Sequence, residues 1–300
     1  MLHKITFNVF SSSVILAFSV FVQPVYAHSL NDYESAAFLA KVPEVKVETS
    51  LIATHAGNKD AISYYENLLQ RYWTAYDIKE VNERNPHLAN LISSSINDTI
   101  LDAKAGNGDK AYSDYFSVAG YMEQAGAIRV DPIIAGNSTI QAMAIAMVLK
   151  ESLERYGDAT ASSEINNISS MNINNTEQTN GIVSTGTTKI VNEYAYENSK
   201  NLAKEALQMF ALLITFNEDT QHNNVKIGNS MTKYIDDLQN AADPHTIVSD
   251  MYTDLYPNFV TGYKFSLESI PEFPVPSLVT IVIISMIIAI TRLDLKKRWA

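Results

Sequence analysis

Apolar residues between positions 30 and 265 recur every three or four residues, the spacing that places them on one face of an α-helix. Little of this region alternates with the period of two typical of half-buried strands, and the short turn signals of hairpins are missing. The pattern therefore predicts an all-α fold, a helical bundle.

Several helices can be placed by their boundary residues. Asn85-Pro86 and Asp243-Pro244 are Asx-Pro pairs that predict an N-cap followed by the first helical residue. Pro43 is expected to end a short first helix. One apolar face of the segment after residue 58 is predicted to contain Ile62, Tyr65, Leu69, Tyr72 and Tyr76.

Residues 140–149 are apolar on nearly every side, which is typical of the central helix of a bundle. Residues 158–188 are rich in Asn, Ser and Thr and have no periodicity, so they are predicted to be a linker. The expected organisation is two helical blocks, residues 28–157 and 189–266, joined by that linker.

Charge and composition exclude several kinds of site. The 300-residue chain has 33 acidic and 22 basic side chains, a formal net charge of −11, so nucleic acid is not an expected partner. It has no cysteine, which excludes disulfides, thiolate metal sites and cysteine nucleophiles.

The N-terminus has the layout of a signal peptide. Lys4 precedes an apolar run at residues 5–22, and Val25 and Ala27 suit the −3 and −1 positions for signal peptidase. We predict a signal peptide at residues 1–27 with cleavage after Ala27. The alternative is an uncleaved anchor, but Asn8 and Pro24 interrupt the apolar run.

The C-terminus combines a short apolar run with positive charge. Residues 277–290 would reach about 21 Å as a helix, less than the ~30 Å hydrocarbon core of a bilayer. Residues 275–295 could span it if Arg292 and Asp294 lie at the interface. Lys296, Lys297 and Arg298 are expected to stay cytoplasmic, which places the body outside the cell.

This run is preceded by a proline-rich segment, residues 267–276, which contains Pro271, Glu272, Phe273 and Pro274. Together with the predicted helix and basic tail at 277–300, the segment resembles the PEF-type sorting signal of archaeal surface proteins. The resemblance implies recognition of these four residues by an archaeosortase, a membrane transpeptidase with a cysteine nucleophile. It also implies removal of the tail and transfer of the new C-terminus to a lipid. The alternative is an ordinary tail anchor on a proline-rich stalk.

Metal ligation is considered at four residues. Glu151 and Glu154 lie one helical turn apart and loosely resemble the E-x-x-E iron-handling element of iron permeases, with Lys150 where that element has arginine. His87 and His245 each follow an Asx-Pro pair and could be equivalent ligands. The competing interpretations are a solvated glutamate face and histidines beside helix caps.

Glycosylation sequons lie at Asn97, Asn137, Asn167 and Asn174. The sequence has neither a G-x-S-x-G motif nor a glycine-rich phosphate loop. We therefore expect a non-enzymatic, surface-anchored helical protein without a cofactor that binds an envelope partner or contributes to envelope structure. The alternative is an extracytoplasmic module that captures iron or copper for a membrane protein.

Overall fold

The computed structural model describes residues 32–165, 188–215 and 221–265. These residues form eleven α-helices and one π-helical segment, with no strand among them, which confirms the all-α prediction. The helices of the first half are α1 (Asp32–Thr54), α2 (Lys59–Tyr72), α3 (Ala75–Arg84), α4 (Pro86–Lys104), α5 (Gly108–Arg129), α6 (Pro132–Ala135) and α7 (Ser138–Thr160). The second half contains α8 (Glu193–Thr215), α9 (Gln221–Gln239), α10 (Pro244–Ser249), the π-helix (Asp250–Leu255) and α11 (Tyr256–Tyr263).

Helix α7 lies at the centre of the bundle, as its apolar circumference predicts. It packs along α8 and α1 and also contacts α6, α10 and α11. The Ser152 hydroxyl donates to the Ser199 carbonyl at 2.9 Å, and the Ser199 hydroxyl donates to the Ser152 carbonyl at 2.7 Å. Such small residues let the two backbones approach closely, so the helices before residue 166 and after residue 187 share one core.

The prediction that Pro43 ends the first helix is wrong. Helix α1 continues through Pro43 to Thr54, and Pro43 itself is buried. A proline removes one backbone hydrogen bond and crowds the preceding turn, which costs about 3 kcal/mol in a helix interior. Buried residues on both sides of it, including Ala40, Val45 and Val47, pack into the core and offset that cost.

The aromatic face predicted after residue 58 is correct for four of its five members. Ile62, Tyr65, Leu69 and Tyr72 are buried, whereas Tyr76 is 62% exposed. The chain leaves helix α2 at Trp73, and Thr74 starts a new helix with a capping box in which Thr74 and Asp77 bond each other's backbone N–H. This change of direction ends the helical period before Tyr76 is reached.

The predicted helix caps are confirmed. Asn85 accepts from the Leu88 N–H at 3.0 Å, and Asp243 accepts from the His245 N–H at 3.0 Å. Helix α4 ends before Gly106, whose φ of +78° is a conformation that favours glycine.

Both ends of the described body lie at one end of the bundle. Gly126 near the end of α5 lies against Val42 and Leu39, and Lys46 pairs with Glu123 at 3.4 Å, so α1 and α5 are antiparallel and the first half of α1 runs beside the last turns of α5. The Thr139 hydroxyl donates to the Tyr263 carbonyl at 2.9 Å, which joins the start of α7 to the end of α11. We call this end the Phe265 pole: it comprises the starts of α1, α7 and α9, the ends of α5, α8 and α11, and α6.

Candidate functional site

Acidic side chains are buried in the interior of the bundle, between α1, α2, α7 and α8. Glu44 and Glu48 lie one turn apart on α1 and are 8% and 0% exposed. Glu151 and Arg155 face them from α7, and Asn198 reaches the same region from α8. Because buried charges are costly unless paired, the contacts of each group decide its ionisation.

Glu151 and Arg155 form a partly buried ion pair. The Arg155 Nε and Nη2 atoms lie 2.8 and 2.6 Å from Glu151 Oε1, and Arg155 Nη1 donates to Asp158 Oδ2 at 2.7 Å. The Tyr72 hydroxyl donates to the same Glu151 oxygen at 2.5 Å. Burial opposes the charge of Arg155, but Glu151 and Asp158 outweigh it and raise the pKa of the guanidinium. Glu151 Oε1 is thus shared among three donors, two from Arg155 and one from Tyr72.

Glu48 and Asn198 form a second buried pair that joins α1 to α8. Asn198 Nδ2 donates to Glu48 Oε1 at 2.6 Å. Glu48 Oε2 and Asn198 Oδ1 are buried and have no hydrogen-bond partner. Burial raises the pKa of Glu48 to about 8 although the Asn198 hydrogen bond and Arg155 lower it. Glu48 is therefore largely protonated at neutral pH, so the carboxyl group carries an O–H in an interior that also holds the acceptor Asn198 Oδ1.

Glu44 completes the acidic interior. Burial, followed by the charge of Glu151, raises the pKa of Glu44 well above its usual range. Lys41 opposes this shift but is itself bonded to Asp77 at 2.6 Å. Burial thus favours the protonated forms of Glu44 and Glu48, while Arg155 pairs with Glu151 and Asp158.

A second set of polar side chains links the C-terminal end of α1 to α8, at the end of the bundle opposite the Phe265 pole. His55 Nε2 lies 2.6 Å from Glu197 Oε2, and the Tyr65 hydroxyl donates to the same oxygen at 2.8 Å. The Tyr64 and Tyr194 rings pack on Tyr65 with centroids 5.4 and 6.0 Å away. The rings are in mutual contact, so this group is a packed aromatic cluster with one carboxylate.

The four residues considered as metal ligands have different partners: Glu151 and Glu154 are neighbours on α7 that pair with Arg155 and Lys150, and the two histidines lie elsewhere. Glu154 pairs with Lys150 at 3.5 Å, and burial followed by the charge of Glu151 raises its pKa. His87 is exposed beside the Asn85 cap, and His245 Nδ1 lies 2.9 Å from Glu164 Oε1. Within residues 32–165, 188–215 and 221–265, no group of three or more His, Asp or Glu side chains could hold a metal ion.

Other residues singled out by sequence fall partly outside the described ranges. Asn97 is exposed on α4, and Asn137 is exposed while its side chain caps α7 by accepting from Thr139 N–H at 2.9 Å. Several predicted features lie outside the described residues: the sequons at Asn167 and Asn174, the predicted cleavage position Ala27, the predicted sorting motif (Pro271, Glu272, Phe273 and Pro274) and the C-terminal apolar run. None of the described helices is both long and apolar enough to cross a bilayer.

Comparison with known proteins gives no relative: no protein-family model, no curated protein and no solved structure matches this chain.

Sequence reasoning singled out Glu151 but missed most of its partners. The neighbouring side chains come close to one another only when α1, α2, α7 and α8 pack together. They are Glu44, Glu48, Tyr72, Arg155 and Asn198. One local signal did exist: Glu44 and Glu48 are four residues apart within a valine-rich helix, so both must share a face with buried neighbours.

Proposed function

We propose that this protein is exported and displayed on the cell surface through its C-terminus, where the acidic helical bundle binds an envelope partner or contributes to envelope structure. The sequence layout, with a leader at one end and a PEF-type tail at the other, motivates the proposal. The observation that supports it best is that Asp32 and Phe265 leave the bundle at the same pole. A body with both chain ends at one pole can stand on a single attachment and leave its other faces free.

The polar interior favours this role over metal capture. Glu151 is engaged by Arg155 and Tyr72, and Glu48 by Asn198. These contacts join helices to one another and hold one bundle together in a chain that has no disulfides. A metal-capture site needs several side chains that converge on one open position, and the candidate histidines lie apart from the glutamates.

The test is top-down mass spectrometry of the protein purified from native membranes, with metal analysis of the same sample. We expect a mature chain that begins at His28, ends near Pro271 and carries a lipid. A matched variant with Pro271, Glu272, Phe273 and Pro274 replaced by alanine should keep the tail through Ala300. Replacing Glu268, just before the motif, with alanine is the control and should leave processing intact.

A wild-type chain that still ends at Ala300 would refute the sorting signal and leave a permanent tail anchor. Protein recovered without any membrane association would refute surface display itself. Stoichiometric iron or copper in the sample would favour the capture module. A mass without added hexose would exclude glycosylation at Asn97, Asn137, Asn167 and Asn174.

A further inference from the structure

Exposed apolar side chains concentrate at the Phe265 pole. The described residues include ten large hydrophobic side chains that are exposed, and six of them lie at or beside this pole. Their exposed fractions are Ile133 86%, Leu212 65%, Tyr76 62%, Val225 61%, Ile214 39% and Ile128 37%. Single exposed apolar residues are ordinary, but a concentration at one end of a protein indicates an interaction surface.

The contacts within the bundle place these residues. Ile128 is at the end of α5 and Ile133 is in α6, which packs against α1. Leu212 and Ile214 follow Phe210, whose ring packs on Phe259 of α11 with centroids 5.7 Å apart. Val225 is in the first turns of α9, next to Asn224, which accepts from the Tyr263 hydroxyl at 2.8 Å.

Tyr76 lies beside the pole, where Glu80 and Arg129 are its charged neighbours. Glu80 accepts from Arg129 Nη2 at 2.6 Å. Tyrosine is well suited to a boundary between water and lipid because its ring is apolar and its hydroxyl is polar.

The path of the chain indicates what covers this surface. The described body ends at Phe265, and eleven residues, 266–276, separate it from the apolar run that starts at Ser277. Eleven residues reach at most about 40 Å when fully extended. Phe265 is the last described residue before this segment. Whether the chain is attached through the apolar run or through a lipid on a C-terminus near Pro271, the Phe265 pole is the end of the body that is joined to the attachment.

We propose that the Phe265 pole rests on the membrane, with Ile133, Leu212 and Val225 inserted at the level of the lipid headgroups. This inference rests on the proposed membrane attachment and adds the surface and its partner, a lipid bilayer. The exposed charges at the pole are mixed, with Asp32, Glu34 and Asp131 against Lys226 and Lys264. Apolar insertion, with little net electrostatic attraction, is thus the expected mode of contact, and zwitterionic lipid should suffice.

The absence of cysteine allows a direct test with single labels. The structure offers matched pairs of the same residue type with similar exposure: Leu212 at 65% with Leu101 at 56%, and Val225 at 61% with Val191 at 56%. Leu101 and Val191 lie at the opposite end, because Leu101 is in the last turn of α4 and the Val191 N–H donates to the Ala159 carbonyl near the end of α7. Each is replaced by cysteine in the full-length chain and labelled with an environment-sensitive fluorophore.

The labelled chains are reconstituted in dioleoylphosphatidylcholine vesicles with or without a nitroxide-labelled phospholipid. We expect the nitroxide to quench labels at 212 and 225 at least threefold more than labels at 101 and 191. Equal quenching at all four positions, in protein that floats with the vesicles, would overturn the lipid contact and leave membrane attachment intact.

Protein that fails to float with the vesicles would instead refute both the attachment and the contact. Shielding of residues 212 and 225 that rises with protein concentration in detergent alone would assign the pole to a second copy of the chain. That outcome would also overturn the inference. Circular dichroism of each labelled chain verifies that the helices are retained.

Discussion

Replacing Glu48 with glutamine tests whether the bundle holds a proton in its core. Glutamine has the size and shape of a protonated glutamate, so Oε1 can still accept from Asn198 Nδ2. Its Nε2 supplies a permanent N–H donor in place of the carboxylic O–H of protonated Glu48, in the same surroundings as the buried acceptor Asn198 Oδ1. The substitution therefore keeps the contact and removes only the titration.

The direction in which stability changes with pH follows from the pKa of Glu48, which is raised from 4.5 to about 8 in the folded protein. Below about pH 4.5 both states hold the proton, so the stability contribution of Glu48 is fully present and does not change with pH. Between the two values the unfolded state has lost its proton while the folded state retains it, so stability falls by about 1.4 kcal/mol per pH unit. Above the folded pKa both states are ionised and the loss levels off at about 5 kcal/mol.

Glu48→Gln should thus be within about 1 kcal/mol of wild type near pH 5 and more stable by roughly 4 kcal/mol near pH 8. For a domain of this size that difference corresponds to a Tm increase of roughly 10 °C. Glu44 and Glu154, whose pKa values are also raised by burial, leave a residual slope in both proteins. The neighbouring charges Glu151, Arg155 and Lys41 are unchanged by the substitution.

The measurement is urea unfolding of the full chain in mild detergent, followed by far-UV circular dichroism and by fluorescence of the buried Trp73. Glu123→Gln is the matched control, because the Glu123 side chain is 66% exposed and should give the wild-type pH profile. An unchanged pH slope in Glu48→Gln would refute the assignment of a proton to Glu48.

Further substitutions test other parts of the fold by the same unfolding assay. Arg155→Met leaves the partly buried Glu151 carboxylate without its guanidinium partner and should destabilise by about 3 kcal/mol. Thr74→Ala removes the capping box of α3 and should cost about 1 kcal/mol. Gly106→Ala should destabilise by about 1 kcal/mol because φ is +78°, whereas Gly120→Ala, inside α5 with open space for a Cβ, should stabilise by about 0.5–1 kcal/mol. A gain from Gly106→Ala or a loss from Gly120→Ala would contradict the backbone assignments.

Features encoded locally could be predicted from the sequence. The caps at Asn85 and Asp243 depend on neighbours two or three residues away, and the central position of α7 follows from the apolar character of residues 140–149. The prediction at Pro43 was wrong because the lost backbone hydrogen bond can be read from the sequence, whereas the packing of α1 that offsets this loss involves residues far away in the chain. Tyr76 misled it because the helical period alone gives no sign that Thr74 starts a new helix.

The interior network could not be predicted because its members are far apart in the chain. Glu48 and Asn198 are separated by 150 positions, and Tyr72 and Glu151 by 79. Without an alignment, nothing in one sequence couples such positions. The spacing of Glu151 and Glu154 suggested a shared cation, but their charges are met by Arg155 and Lys150 on the same helix.

The same network explains how helices from both sides of residues 166–187 reach a single register. Asn198 bonds Glu48, Ser199 bonds Ser152, and Glu197 bonds His55, so three consecutive residues of α8 are matched to α1 and α7. A shift of α8 by one residue would bury Asn198 without a partner and separate the serines, at a cost of about 1–3 kcal/mol for each unpaired group. Apolar contacts alone tolerate such a shift more easily, because they are non-directional. The buried polar groups therefore specify one arrangement of the bundle, and the proton on Glu48 is part of that specification.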